Sequence, residues 1–168
     1  MSSTNPSGAE SPISLDSSAA GGLDSPSQLA NRLVATWFAA RQRPYVQTGL
    51  AFAATIGPRA EGEAPIEFRI GTTPGPVGIL FSASAALRYD RDSWPAALAT
   101  CNQWNGSVPV PTARLAVSSW DDDTDAPVVL EAWLPLTPGT EQAAVDTIAD
   151  AFVHGVVSFW RPPTPSSV

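Results

Sequence analysis

Cys101 and His154 are the only cysteine and the only histidine in the chain. Side by side they would form a thiol–imidazole pair, in which a base activates a sulfur nucleophile. The same two residues could begin a zinc site if carboxylates completed it. Neither reading finds a third, orienting residue in the sequence. Cys101 also falls on the apolar side of its own segment, where a free thiol behaves as a small hydrophobe. Asp121, Asp123 and Asp125 give the D-x-D-x-D opening of a calcium loop. The sixth position of that loop is Ala126 rather than Gly, and the twelfth is Ala132 rather than Glu. The match fails at both diagnostic places, and a solvated acidic hairpin tip is expected instead. Arg41 and Arg43 could line an anion site, but favourable charge at a helix C-terminus explains them more simply. The chain has no Gly-rich phosphate loop, nucleophile elbow or paired catalytic carboxylates. No catalytic, cofactor-binding or metal-ligating residue is therefore assigned, and the chain is not expected to be an enzyme.

The aromatic residues point to binding instead. There are six tryptophans. Trp37 and Trp94 fit apolar helix faces. In the stretch Val128–Leu136, Val128, Leu130, Ala132 and Leu134 share one face, while Val129, Glu131 and Trp133 share the other. An aromatic beside a carboxylate on a half-wet strand face is a pattern enriched in binding sites. Trp133, Glu131 and Trp120 are the candidate partner surface.

These residues need elements to hold them. Residues 140–160 carry apolar side chains at Val145, Ile148, Phe152, Val156 and Phe159, widened by Ala149 and Val153, which is the period of one helix face. Such a helix is about 30 Å long, enough to cross a small sheet. Gly155 lies within it, where glycine serves best as a place of close approach. At the other end, Ser25 and Gln28 form a capping box with Pro26 in the first turn. Leu29, Leu33 and Trp37, with Ala30, Val34 and Phe38, give that first helix a wide apolar face, and Pro44 stops it. A middle helix is expected from Ser93 to Asn105, capped by Asp92 or Ser93 and ended by Gly106. Trp94, Leu98 and Cys101 share its face. Strands are expected around Leu50–Ile56, Ile66–Ile70, Val77–Ser84, Pro111–Ser118 and Val128–Leu136. Glu67 and Arg69 mark one wet face on the second of them. Short Gly/Pro-rich breaks favour antiparallel pairing. The result is an α+β fold: a five-stranded antiparallel sheet with three helices, in the order α-β-β-β-α-β-β-α, packed mainly on one face.

The 168 residues suggest one domain, 25–161, between a Ser/Pro/Gly-rich tail over 1–24 and a proline-rich tail over 162–168. The first tail has few large apolar residues and is expected to be disordered, with a short docking segment conceivable around Ile13–Leu15. The net charge of −7, with nine arginines and no lysine, sets nucleic acid and anionic membranes aside as partners. The composition resembles high-GC bacterial coding. The most apolar run, Val77–Leu87, is far shorter than the ~20 residues a bilayer requires, and no secretory signal is apparent. A cytoplasmic protein is expected.

Cys101-Asn102-Gln103-Trp104-Asn105, Val128-Val129-Leu130-Glu131-Ala132 with Leu134-Pro135-Leu136, and Phe152-Val153-His154-Gly155-Val156-Val157-Ser158-Phe159-Trp160 resemble the YbjN family of candidate bacterial sensory-transduction regulators. The resemblance is close from about Asp92 to Trp160 and loose from Pro26 to Ser84. It implies a type III secretion chaperone-like fold, no catalytic motif, and structural roles for Asn102 and Asn105. Val108-Pro109-Val110-Pro111 and the long Gly57–Pro65 loop depart from the family pattern. The resemblance implies a non-enzymatic module that binds a protein partner, as a regulator or chaperone. A homodimer is a further option, because fold relatives of the family dimerise. The alternative is a sensor holding a small molecule between helices and sheet, which would need an apolar pocket there.

Overall fold

Ser25 opens the first helix through the capping box that its sequence encodes. Its hydroxyl accepts from the Gln28 backbone at 3.3 Å, and its own N–H donates to Gln28 Oε1 at 2.9 Å. The computed structural model describes residues 25–58, 61, 63–73, 77–118 and 124–161. The expected tails, 1–24 and 162–168, lie outside the described residues, as do Trp120 and Asp121–Asp123 of the acidic loop.

The described elements are α1 (Pro26–Ala40), β1 (Val46–Thr48), β2 (Ala51–Ile56), β3 (Ile66–Thr72), β4 (Gly78–Tyr89), α2 (Trp94–Ser107), β5 (Thr112–Leu115), β6 (Ala126–Pro135) and α3 (Gln142–Trp160). They form one antiparallel sheet in the order β1-β2-β3-β4-β6-β5. The sheet has six strands, which corrects the expectation of five and adds a strand to the expected element order. The extra strand is β1. All three of its residues are exposed, so no buried alternation announces it. It exists because Gly49 takes φ 59°, a left-handed conformation open to glycine, and folds Thr48 back onto Ala51.

Element ends also differ. Ser93 holds the N-cap position of α2, as one of the two expected residues, but makes no side-chain capping bond; Asp90 caps the turn that leads into it. Its carboxylate accepts from the Ser93 backbone at 2.9 Å, which closes a 3-10 turn over Arg91–Ser93. Gly106 does not end α2, which continues to Ser107. The last helix starts at Gln142 rather than Thr140. The Thr140 hydroxyl instead accepts from the Thr137 backbone at 2.8 Å and stabilises the preceding turn.

All three helices share one core with one face of the sheet. Phe52, Ile66, Phe68, Ile70, Ile79, Phe81 and Leu130 point into it from the strands. Leu33, Trp37, Phe38, Val145, Phe152 and Val156 meet them from α1 and α3. Phe81 and Phe152 stand 5.6 Å apart and Phe38 and Phe68 6.0 Å apart, ring centre to ring centre. Gly155 is where α3 touches the loop before β5. A Cβ there would lie 2.2 Å from Pro111 Cδ. Arg161, just beyond α3, donates to the Gly57 carbonyl at 2.8 Å and pairs with Glu63 at 3.2 Å, which ties the β2–β3 loop to the helix end. No helix among the described residues is long and apolar enough to cross a membrane.

Candidate functional site: the uncovered face of the sheet

Because the helices occupy one face, the strand residues between the core positions form a second face that no described element covers. The strand register orders it into rows. One row runs Thr48, Ala51, Gly71, Leu80, Trp133. The next runs Val46, Ala53, Arg69, Ser82, Glu131, Thr112. A third holds Thr55, Glu67, Ser84, Val129 and Arg114.

Trp133 is the largest apolar group on this face and is 48% exposed. Leu80 stands directly across from it, and Gly78 lies diagonally across. The indole rests on Gly78: a Cβ at that position would sit 2.2 Å from Trp133 Nε1. The glycine lets the ring lie along the sheet, with one side on the backbone and the other towards solvent. Cross-strand placement of this kind fixes an aromatic in one orientation. Glu131 lies two residues earlier on the same face. Arg114 grips it with two charge-assisted bonds of 2.7 Å, and hydrogen bonding to Glu131 raises the Arg114 pKa above its ordinary value. Glu67, Arg69, Ser82, Arg114 and Glu131 surround a shallow depression of about 320 Å³. Arg69 and Glu67 are exposed and carry no ion pair with the described residues.

Two of the three candidate surface residues, Trp133 and Glu131, therefore lie together on one open surface. The third, Trp120, is outside the described residues. Sequence reading missed Leu80, Arg69 and Arg114 as their neighbours. The wet face of β3 was visible in the alternation, but the strand order that brings it beside β6 was not.

The other candidates fall apart spatially. Cys101 is buried in the core, and burial pushes its thiol pKa up, away from the reactive thiolate. His154 is exposed on α3, and no hydrogen bond joins the two. Among the described residues no cluster of three or more His, Cys, Asp or Glu is placed to hold a metal. Arg41 does not face a free anion. It grips Asp150 through Nε, at 2.7 Å, and Nη2, and lies 3.5 Å from Asp146, so α1 and α3 are clamped together. The Trp37 indole donates to the same Asp150 oxygen at 3.0 Å. Asn105 proves to be an edge cap. Its side-chain amide donates to the Ala113 carbonyl at 2.9 Å and accepts from the Ala113 N–H at 2.7 Å, which closes the outer edge of β5.

The described elements thus make an α+β fold, a six-stranded antiparallel sheet with three helices on one face. The crystal structure of YbjN, a candidate transcription regulator from E. coli, is similar to this chain at a TM-score of 0.56 and 18% identity, over 76% of this chain and 86% of that one. At that identity the likeness is one of fold. No family model matches the sequence, and no curated protein matches it.

Proposed function

We propose that this chain is a non-enzymatic, cytoplasmic module that binds another protein, as a regulator or chaperone-like component, through the uncovered sheet face with Trp133 as anchor. The observation behind the reading is the half-exposed indole, held flat over Gly78 on a face that no described helix covers. A few aromatic anchors dominate most protein interfaces. Small neighbours, Ala51, Ala53, Gly71 and Ser82, let a partner backbone come close. Arg69 and Glu67 offer opposite charges that set its orientation. The YbjN-type fold supports a regulatory role, and the −7 charge favours action through a protein rather than directly on DNA. The small-molecule sensor reading is weakened by the large side chains that fill the space between helices and sheet. Phe81, Phe152, Ile79 and Leu130 are all fully buried there.

The test is Trp133→Ala, read twice. Partner capture from a host lysate should weaken by at least about 2 kcal/mol, roughly thirty-fold. Monomer stability should fall by no more than about 1 kcal/mol, the scale of one cross-strand aromatic contact. A large stability loss with unchanged capture would place Trp133 in a purely structural role and end this reading.

A further inference from the structure

The open face of the sheet is complementary to itself. β4 runs between β3 and β6, and the two flanking strands carry opposite chemistry in each row. In one row Arg69 stands on β3 and Glu131 on β6, with Ser82 between them. In the row beside it Gly71 stands on β3 and Trp133 on β6, with Leu80 between them. A half-turn about a line along β4 exchanges the β3 and β6 positions. A second copy set face to face by that rotation meets the first with a cation over each anion and a bare glycine over each indole.

We propose that two copies of this chain pair through this face about a two-fold axis along β4. Arg69 of each copy, which carries no ion pair with the described residues, meets Glu131 of the other. Arg114 already holds Glu131 in place within its own chain. Glu67 of the second copy falls over Val129, one strand spacing of about 4.8 Å from Arg114, so both arginines and both glutamates of each chain find an opposite charge. The Trp133 indole has one side on Gly78 and is 48% exposed. Its open side closes on Gly71 of the second copy, where no side chain stands in the way. Leu80 and Ser82 lie on the axis and meet their own counterparts. Sheets packed face to face stay about 10 Å apart and within about 30° of alignment, a gap that facing Arg and Glu side chains bridge. These contacts lie on β4 or one strand from it, where a twist of about 20–25° per strand displaces them least.

This inference rests on the sheet face being a binding surface, as the proposed function does, but it is read on the purified full-length chain alone. Sedimentation at rising concentration should show a monomer–dimer equilibrium. Arg69→Glu and Glu131→Arg each set like charges face to face, and each should weaken the dimer by at least about tenfold. Mixed in equal amounts, the two variants should recover it, because every reversed side chain then meets an opposite charge. Circular dichroism checks that both are folded. A second measurement leaves the charges untouched. Ser82→Cys in a Cys101→Ala chain puts a thiol on the axis, and a short bismaleimide should link two copies. Thr55→Cys lies four strand spacings, about 19 Å, from its counterpart across the axis and should stay unlinked. If Glu131→Arg loses its fold with the Arg114 clamp, the linkage experiment decides by itself. A parent that stays monomeric, a mixture of folded variants no more associated than each alone, or linkage at Thr55 equal to that at Ser82 would overturn the inference. If the mixture recovers the dimer while Trp133→Ala leaves partner capture unchanged, the pair of copies stands and the proposed partner surface falls. If the parent is monomeric while Trp133→Ala abolishes capture, the reverse holds.

Discussion

Gly155 and Gly106 both lie within helices, and alanine should act on them with opposite sign. In a helix interior alanine is favoured over glycine by about 1 kcal/mol, because it fixes less backbone freedom. At Gly106 nothing lies within 4 Å of the added Cβ, so most of that gain should appear: about 0.5–1 kcal/mol of extra stability. At Gly155 the new methyl would stand 2.2 Å from Pro111 Cδ, 3.1 Å from Cγ and 3.3 Å from the Val110 carbonyl oxygen. Ordinary carbon–carbon contact is at about 3.5–4.0 Å. One side must therefore retreat by more than an ångström. Pro111 is buried, its ring is stiff, and its carbonyl is held by the Trp104 indole at 2.8 Å. Overpacking of this kind costs about 1–3 kcal/mol and outweighs the propensity gain, leaving Gly155→Ala destabilised by roughly 1–2 kcal/mol. Thermal denaturation followed by circular dichroism reads both variants, at roughly 3–6 °C per kcal/mol for a fold of this size. Gly106→Ala should melt higher than the parent and Gly155→Ala lower. If both melt higher, α3 does not approach the Pro111 loop.

Phe152→Ala should cost about 3–5 kcal/mol, because the ring is fully buried against Phe81 and a hydrogen-bonded sheet collapses little into a cavity. The guanidinium midpoint should drop accordingly, and an unshifted midpoint would remove α3 from the core. Asn105→Ala strips both partners from the Ala113 backbone and should cost about 1–3 kcal/mol. It should also expose the β5 edge, so sedimentation should show more association than the parent has. Asp150 has its pKa lowered in the folded state, first by the hydrogen bond from Arg41 and further by the Trp37 indole, against the opposing effect of burial. A lowered folded-state pKa adds stability above the unfolded carboxylate value, and that stability is lost as pH falls through the folded one. Melting temperature should therefore fall more steeply below about pH 4 in the parent than in Asp150→Asn, and parallel curves would show that the Arg41 clamp contributes nothing.

The elements legible in the sequence are those whose own periodicity reports burial. The α3 stripe and the alternation of Ile66, Phe68 and Ile70 each record a core face in a single stretch. The Ser25–Gln28 box is local chemistry, and the structure forms it as written. β1 carries neither signal, and only Gly49, three residues past Val46, hints at the hairpin. The site was legible by half. The alternation of β6 put Trp133 and Glu131 on the face away from the core, but what lies beside an indole depends on pairing. Gly78 is 55 positions earlier in the chain and comes beneath the ring only because β4 and β6 are sheet neighbours. The same holds for Arg41 and Asp150, which meet across 109 positions between two helices whose contact no local pattern records. Their pairing removes a cation that looked available to a ligand. The pairing of β3 with β4, and of β4 with β6, instead places Arg69, which carries no ion pair with the described residues, two strands from Glu131 on the open face of the sheet.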